Sequence, residues 1–223
     1  MRKIYALTIA LVCFSFLSQA QIRKGSIYFG GDINYTSQKE EVLNSTPGGA
    51  NNEGKVNFTT FSPAIGIAVE ENVFAGIDFT YSNSEAENSS LSNNYKNKSI
   101  GAGVFVRRYF PVANKFYLFG QVRLGYYNRD YNQTSMFSSE TTQEDSWGLQ
   151  AGIVPGLSYN VYKSLYLELG LNNLLQIQYE NTDRTRTFGG GGRSSSEIKN
   201  FSVGSSLSNS PLNIGVRFIL PKK

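Results

Sequence analysis

The stretch LYLELGLNNLLQIQY, Leu165 to Tyr179, decides the fold. Read as a helix, it gathers Glu168, Asn172 and Gln176 on one side. Read as a strand, it places Leu165, Leu167, Leu169, Leu171, Leu175, Ile177 and Tyr179 on one face. Tyr166, Glu168, Gly170, Asn172, Leu174, Gln176 and Gln178 then fall on the other. Successive strand side chains point to opposite faces, so the period-two split is the cleaner reading, with Asn173 and Leu174 its only exceptions.

The same alternation recurs along the chain. It is present in Gly25–Thr36, Phe58–Val69, Val73–Ser84, Ser99–Phe110, Phe116–Tyr131, Ser146–Val161 and Pro211–Leu220, which with the opening stretch makes eight candidate strands. Their connections alternate in length. Glu70–Asn72, Pro111–Lys115 and Tyr162–Ser164 are short, whereas Ser37–Asn57, Glu85–Lys98, Asn132–Asp145 and Asn181–Ser210 are long and polar. Strict alternation puts tight turns at one end of an up-and-down antiparallel array and loops at the other, the plan of small outer-membrane barrels. The segments also reach the roughly 9–11 residues that a tilted strand needs to cross hydrocarbon. Pro63 and Pro155 fall inside proposed strands and are expected to mark bulges. Glu197–Ser210 is assigned mostly to the last loop.

Composition agrees. The 223-residue chain opens MRKIYALTIALVCFSFLSQAQ, a basic start, an apolar run and a small-residue cleavage site. That order predicts a signal peptide over residues 1–20 and a barrel domain over 21–223. The only cysteine, Cys13, lies in the leader. The formal charge of +4 falls to +2 without Arg2 and Lys3, too weak and dispersed for a nucleic-acid partner. Histidine is absent, which removes Ser-His and Cys-His nucleophiles, His general bases and ordinary His-rich metal sites. No catalytic residue, cofactor site or metal site is assigned. FGGGGRSSS, Phe188 to Ser196, lacks the Gly-Lys-Ser/Thr ending of a phosphate loop and reads as an external loop.

The two faces define the barrel's orientation. Ile27, Phe29, Ile33 and Tyr35 align with Val73, Ala75, Ile77, Phe79 and Tyr81, and with equivalent apolar rows on the later strands. The opposite face carries Asp32, Asp78, Arg107, Arg123, Glu168 and Arg217, three acids and three bases. A soluble barrel that turns its apolar face inward around a ligand places those charges outside. A membrane barrel places them in its lumen, where matched acids and bases neutralise one another. Glu168 and Arg217 are expected to approach one another near the turn end, with Arg107 at the same level and Asp32 and Arg123 somewhat deeper. Arg108 is outward and, near a membrane edge, is expected to snorkel.

GVFVRRYFPVANKFYLFGQVRLGY, Gly103 to Tyr126, resembles the central hairpin of the outer-membrane β-barrel domain family of Gram-negative bacteria, small OmpA-type barrels. AGIVPGLSYNVYKSLYLELG, Ala151 to Gly170, and the terminal LNIGVRFIL are similar to the same family. The resemblance implies location in outer-membrane lipid and insertion by the barrel-assembly machinery through a C-terminal strand signal. The expected fold is therefore all-β, an eight-stranded antiparallel up-and-down transmembrane barrel with short periplasmic turns and long extracellular loops. The expected role is non-enzymatic, structural or surface-interacting through an unknown extracellular partner at the loops. A narrow solute pore and a secreted soluble barrel for apolar ligands are the alternatives.

Overall fold

A computed structural model describes residues 22–42, 52–88, 93–135, 139–171, 174–205 and 212–222. The expected signal peptide lies outside the described residues. Ten strand segments run in order: β1 (Ile27–Val42), β2 (Asn52–Glu70), β3 (Val73–Asn88), β4 (Asn93–Ala113), β5 (Phe116–Ser135), β6 (Glu140–Tyr162), β7 (Leu165–Leu171), β8 (Leu175–Thr187), β9 (Arg193–Gly204) and β10 (Leu212–Leu220). Each of β1 to β5 pairs antiparallel with the next, and β5 pairs with β6. The lower part of β6 pairs with β7 and its upper part with β8. Against these lie β10 and β9 respectively, and β10 closes the ring on β1 from Ile27↔Leu220 to Ile33↔Ile214. The wall is thus an eight-stranded antiparallel barrel in which β7 with β8, and β9 with β10, are the two halves of its last strands.

The break between β7 and β8 accounts for the two residues that spoiled the alternation. Leu169 faces Leu157 and Leu175 faces Ile153, so six steps of chain span four steps of β6. The surplus is two residues. An even insertion preserves parity, so Leu169, Leu171, Leu175 and Ile177 all remain outward, 38–51% exposed. Pro155 stands opposite this break, while on its other side it stays in register with Gly120. Leu174 donates its N–H to the Ile153 carbonyl across the gap, at 3.0 Å.

Two expectations need correction. The bulge expected at Pro63 is instead a gap of two residues in the ladder to β3, without a register shift, and Pro63 faces Gly31 in β1. The missing N–H removes bonds there but adds no residue. The long loops are also shorter than expected. β1 to β6 continue past the apolar rows as hairpins, and Glu197–Gly204, assigned to a loop, belongs to β9. The hairpin ladder continues because its polar positions still make cross-strand pairs, such as Thr60–Ser82 at 3.1 Å and Lys96–Glu85 at 2.7 Å. The glycine run turns tightly between β8 and β9, with Phe188 donating to the Gly192 carbonyl and Gly191 at φ +83.

The opposite end carries two-residue turns at 71–72, 114–115 and 163–164, with Asn72, Lys115 and Lys163 in the left-handed region. Along β5, Phe116 and Tyr126 are outward aromatics at the ends of an eleven-residue stretch, the span of one membrane crossing. Phe116 contacts Tyr159 near the turns, and Tyr126, Trp147 and Tyr179 form a chain of ring contacts towards the loops, two interfacial girdles. Arg108 is outward near the lower girdle, its guanidinium 5.4 Å from the Phe110 ring.

Candidate functional site

The lumen is built in layers. Its floor, at the turn end, is an apolar cluster of Tyr28, Phe74, Phe105, Tyr109, Tyr117, Phe119, Tyr166 and Ile219, each at most 7% exposed. Ile22 enters it from the chain preceding β1 and is pinned by reciprocal hydrogen bonds with Asn72. Rings such as Phe74–Tyr109 and Tyr109–Tyr117 meet edge to face near 6 Å, the arrangement their quadrupoles favour. These aromatics occupy the same strand faces as the charges, and all but Phe105 lie nearer the turns than the charge of their strand. The sequence reading assigned that face to charges, amides and glycines and missed the plug. The signal available was parity: Tyr28 with Asp32, Phe74 with Asp78, Tyr166 with Glu168.

Directly above the floor, Glu168 accepts from Arg107 Nη1 at 2.5 Å and from the Tyr109 hydroxyl at 2.5 Å. Arg217 Nε lies 3.3 Å from Oε2, the same oxygen that Arg107 reaches, while Tyr109 holds Oε1. Arg217 also donates Nη2 to Asp32 at 2.5 Å, Nε to the Tyr28 hydroxyl and Nη1 to the Gly31 carbonyl. Arg107 donates Nε to Gln121 at 2.8 Å and lies 4.4 Å from the Phe119 ring. Arg107, Glu168 and Arg217 are 1–3% exposed. Three buried charges so close persist because each has an opposite partner and further hydrogen bonds.

Glycine makes this layer possible. Asp32, Gly215 and Glu168 stand on one cross-strand row, with Gly215 in the middle. A Cβ on Gly215 would sit 2.8 Å from Arg217 Nη1 and collide with the Asp32 carboxylate. The bare backbone therefore lets the Arg217 guanidinium, rooted one inward position lower, fold over the row and bridge both acids. The device repeats one layer up. Asp78, Gly103 and Gly125 share a row, and a Cβ on Gly103 would lie 3.0 Å from the Arg123 guanidinium that crosses it. Arg123 reaches Asp78 with Nε at 2.8 Å and Nη2 at 2.5 Å.

The six charges expected in the lumen thus fall into two groups, Asp32–Arg217–Glu168–Arg107 and Asp78–Arg123. Asp32 shares the row of Glu168 and is not deeper, whereas Arg123 lies one layer beyond. The closest cation to Glu168 is Arg107, from the far side of the barrel. Further towards the loops, Glu180 accepts from Tyr127 at 2.6 Å and Arg129 at 2.7 Å, and Arg184 donates to Glu144 at 2.6 Å. Of these, Arg184 reads in the sequence as part of a solvated loop cluster with Asp183 and Arg186, and Glu144 falls in a segment read as loop; Tyr127 and Arg129 lie on a segment read as a strand, but without a visible partner.

Between the two charge groups and the loop end lies a cavity of about 270 Å³. Asp32, Asn34, Thr60, Ser62, Asp78, Thr80, Ser82, Arg123, Gln150 and Asn213 line its wall, and Phe105 and Phe119 its floor. Phe58, Ala64 and Val154 line it too, so it is a mixed recess with charged groups at its base and not the apolar pocket of a lipid-carrying soluble barrel.

No curated protein matches the chain by sequence. Among solved structures, outer membrane protein OprG from Pseudomonas aeruginosa is 13% identical with a TM-score of 0.52, over 90% of this chain and 98% of that one. Neisserial surface protein A is 19% identical with a TM-score of 0.41, over 86% and 96% of the two chains. The outer membrane protein AlkL, solved in DMPC bilayers, is 19% identical with a TM-score of 0.44, over 92% and 94%. At such identities the OprG likeness speaks to fold alone. The profile of the outer membrane protein β-barrel domain matches residues 6–207, most of the chain. With apolar rows facing out, girdles at both edges and an ion-paired interior, the chain belongs to the outer-membrane β-barrel domain family and resides in the outer membrane.

Proposed function

We propose that this barrel is a non-enzymatic structural or surface-contact protein, anchored by a rigid, ion-paired lumen and presenting its external hairpins to a partner outside the cell. One observation carries the reading. The aromatic floor and the Arg107–Glu168–Arg217–Asp32 layer fill the turn end of the lumen with side chains at most 7% exposed, apart from the less buried Asp32. The cavity above is stopped by this floor, which leaves a solute no path to the turn end. The six lumen charges are structural: they hold opposite walls at a fixed distance, which no contact along one sheet does. In the same reading, β10 with its row of Leu212, Ile214, Val216, Phe218 and Leu220 carries the signal for the barrel-assembly machinery.

Planar-bilayer recording separates this from the narrow pore. The purified barrel is expected to give no conductance steps at neutral pH and 1 M KCl (an illustrative condition of about that ionic strength, at which screening is short-range). Reproducible steps, lost when the floor is enlarged by Phe119→Trp, would favour the pore.

A further inference from the structure

The turn end of the barrel is basic on its outside. Among the described residues it bears exposed Arg23, Lys24, Arg108, Lys115, Lys163 and Lys222, against Glu70 and Glu71 at the β2–β3 turn. Short turns face the periplasm in barrels of this kind, so the basic rim meets the inner leaflet of the membrane. Towards the loops the sign changes on the far half of the wall. Asp130, Asp145, Asp183 and Glu197 stand on one exposed cross-strand row of β5, β6, β8 and β9, which ends at Lys98 of β4. Asp145 lies two residues beyond Trp147, so this row stands directly above the outer girdle.

Three of the six cations share one arc of the wall, from β4 to β7. The turn-end parts of these strands, Arg107–Gly120 and Pro155–Leu167, contain no acidic residue. Lys115 and Lys163 sit in two turns tied together by Asn160, whose N–H donates to the Lys115 carbonyl and whose Nδ2 donates to the Lys163 carbonyl, each at 2.8 Å. Arg108 stands higher, outward in a row that is otherwise apolar, between Val106 and Phe110. Its guanidinium lies 5.4 Å from the ring of Phe110, one outward position nearer the turns, so the side chain is aimed towards the headgroups. Lys163 Nζ lies 5.0 Å from the Tyr162 ring. Among the described residues no carboxylate pairs with any of the three. Beside Arg108 the wall is hollow. Its cross-strand row continues through Gly120 to Pro155, and a Cβ on Gly120 would meet nothing within 4 Å. The flanking rows, Val106–Val122–Ile153 and Phe110–Leu118–Leu157, carry large outward side chains. Gly120 and Pro155 are therefore the floor of a shallow groove, one row wide, that ends at Arg108.

We infer that this arc is a binding site for an anionic phospholipid of the inner leaflet, one whose phosphodiester charge is not cancelled by a headgroup amine, as in phosphatidylglycerol. Arg108 draws the phosphate from within the wall, Lys115 and Lys163 draw it from the turns, and an acyl chain lies in the Gly120–Pro155 groove. Charge complementarity selects the headgroup. A cation on an apolar wall needs water or an anion beside it, and three cations with no carboxylate between them favour a lipid of net negative charge over a zwitterion. The groove selects a lipid over a soluble anion, which has no chain to fill it. The acidic row at the other rim gives the same lipid no corresponding seat beside Trp147.

The test uses the full-length barrel in symmetric vesicles, with brominated lipids as quenchers of a single tryptophan. The reporter is Phe116→Trp, an aromatic exchange in the girdle beside Lys115, made together with Trp147→Phe. From quenching against mole fraction, phosphatidylglycerol is expected to associate at this reporter about threefold or more strongly than phosphatidylcholine. The native Trp147 is expected to show no such preference. Arg108→Gln with Lys115→Asn and Lys163→Asn, asparagine being suited to the left-handed backbone of both turn lysines, is expected to bring the ratio at the Phe116→Trp reporter to about one while heat-modifiable gel migration is unchanged. Should that variant fail to fold, Lys115→Asn with Lys163→Asn alone is expected to lower the ratio to below about twofold. Gly120→Leu fills the groove without touching a charge and is expected to lower it as far. Equal association of the two lipids at the Phe116→Trp reporter, the same preference at both tryptophans, or a preference that survives loss of the charges overturns the site. A ratio unchanged by Gly120→Leu overturns the groove as the seat of the chain.

Discussion

Replacing Glu168 with Gln removes one charge and almost no volume, and the structure fixes what is lost. The donors on its two oxygens, Arg107 Nη1 and the Tyr109 hydroxyl, lose their anion, and the amide offers one neutral acceptor oxygen in place of two charged ones. Arg217 keeps Asp32. Arg107 is left with neutral acceptors alone, Gln121, Tyr109 and the amide at position 168, and, 3% exposed, becomes an uncompensated buried cation. Breaking a buried pair costs about 3–5 kcal/mol, and retention of an acceptor at the same position puts E168Q near the lower end, about 3 kcal/mol. With an m-value of about 2–3 kcal/mol per molar, the urea midpoint falls by about 1–1.5 M. Equilibrium unfolding from lipid vesicles, followed by tryptophan fluorescence and gel mobility, gives the number. Glu144→Gln is the internal control, since its partner Arg184 is about a third exposed and such a pair contributes about 1 kcal/mol or less. If E168Q costs no more than E144Q, the lumen charges do not hold the barrel together.

Four further outcomes follow from the same geometry. Asp78→Asn, whose partner Arg123 is more exposed than Arg107, is expected to cost less than E168Q, about 1–2 kcal/mol by the same unfolding assay. Gly215→Ala places a methyl against Asp32 and Arg217 and is expected to cost about 1–3 kcal/mol, with a smaller penalty when Asp32 is also replaced by Ala. Deleting Asn173 and Leu174 together removes the two surplus residues and leaves a heat-modifiable barrel, whereas deleting Asn173 alone turns Leu175 and Ile177 into the lumen and abolishes folding. At the tip of the β3–β4 hairpin, the hydrogen bond from Lys96 holds the Glu85 carboxyl below its ordinary value of 4.5. That contribution is present above about pH 4.5 and is lost as acidification carries the carboxyl through its lowered value, so amide protection around Glu85 and Lys96 should fall in acid while the wall keeps its own.

The wall was legible in the sequence because a strand reports its own two faces. Leucines at every second position from Leu165, with Glu168 and Gln176 between them, gave both the strand and its orientation, and the three short turns fell where the structure has them. What crosses the lumen was not legible. Whether Glu168 meets Arg107 or Arg217 first depends on barrel diameter and stagger, and no single strand carries these. The aromatic floor was hidden for a different reason. Tyr109 and Phe119 resemble girdle residues by position near a segment end, and only their parity sets them inside. β9 was obscured by composition, since RSSSEIKNFSVG has few apolar residues and is held by its ladder with β8.

The central claim is that the apolar rows face lipid and the charges face a filled lumen, and the only tryptophan reports on it directly. Trp147 is outward on β6 at the outer girdle, 40% exposed, in ring contact with Tyr126 and Tyr179. Quenching of its fluorescence in bilayers of brominated phosphatidylcholine measures its surroundings and its depth together. The account predicts strong quenching, greater with bromines high on the acyl chain than near its end, and weak quenching by aqueous iodide. Efficient iodide quenching with no response to brominated lipid would contradict it, because Trp147 would then face water and the barrel would be inside out.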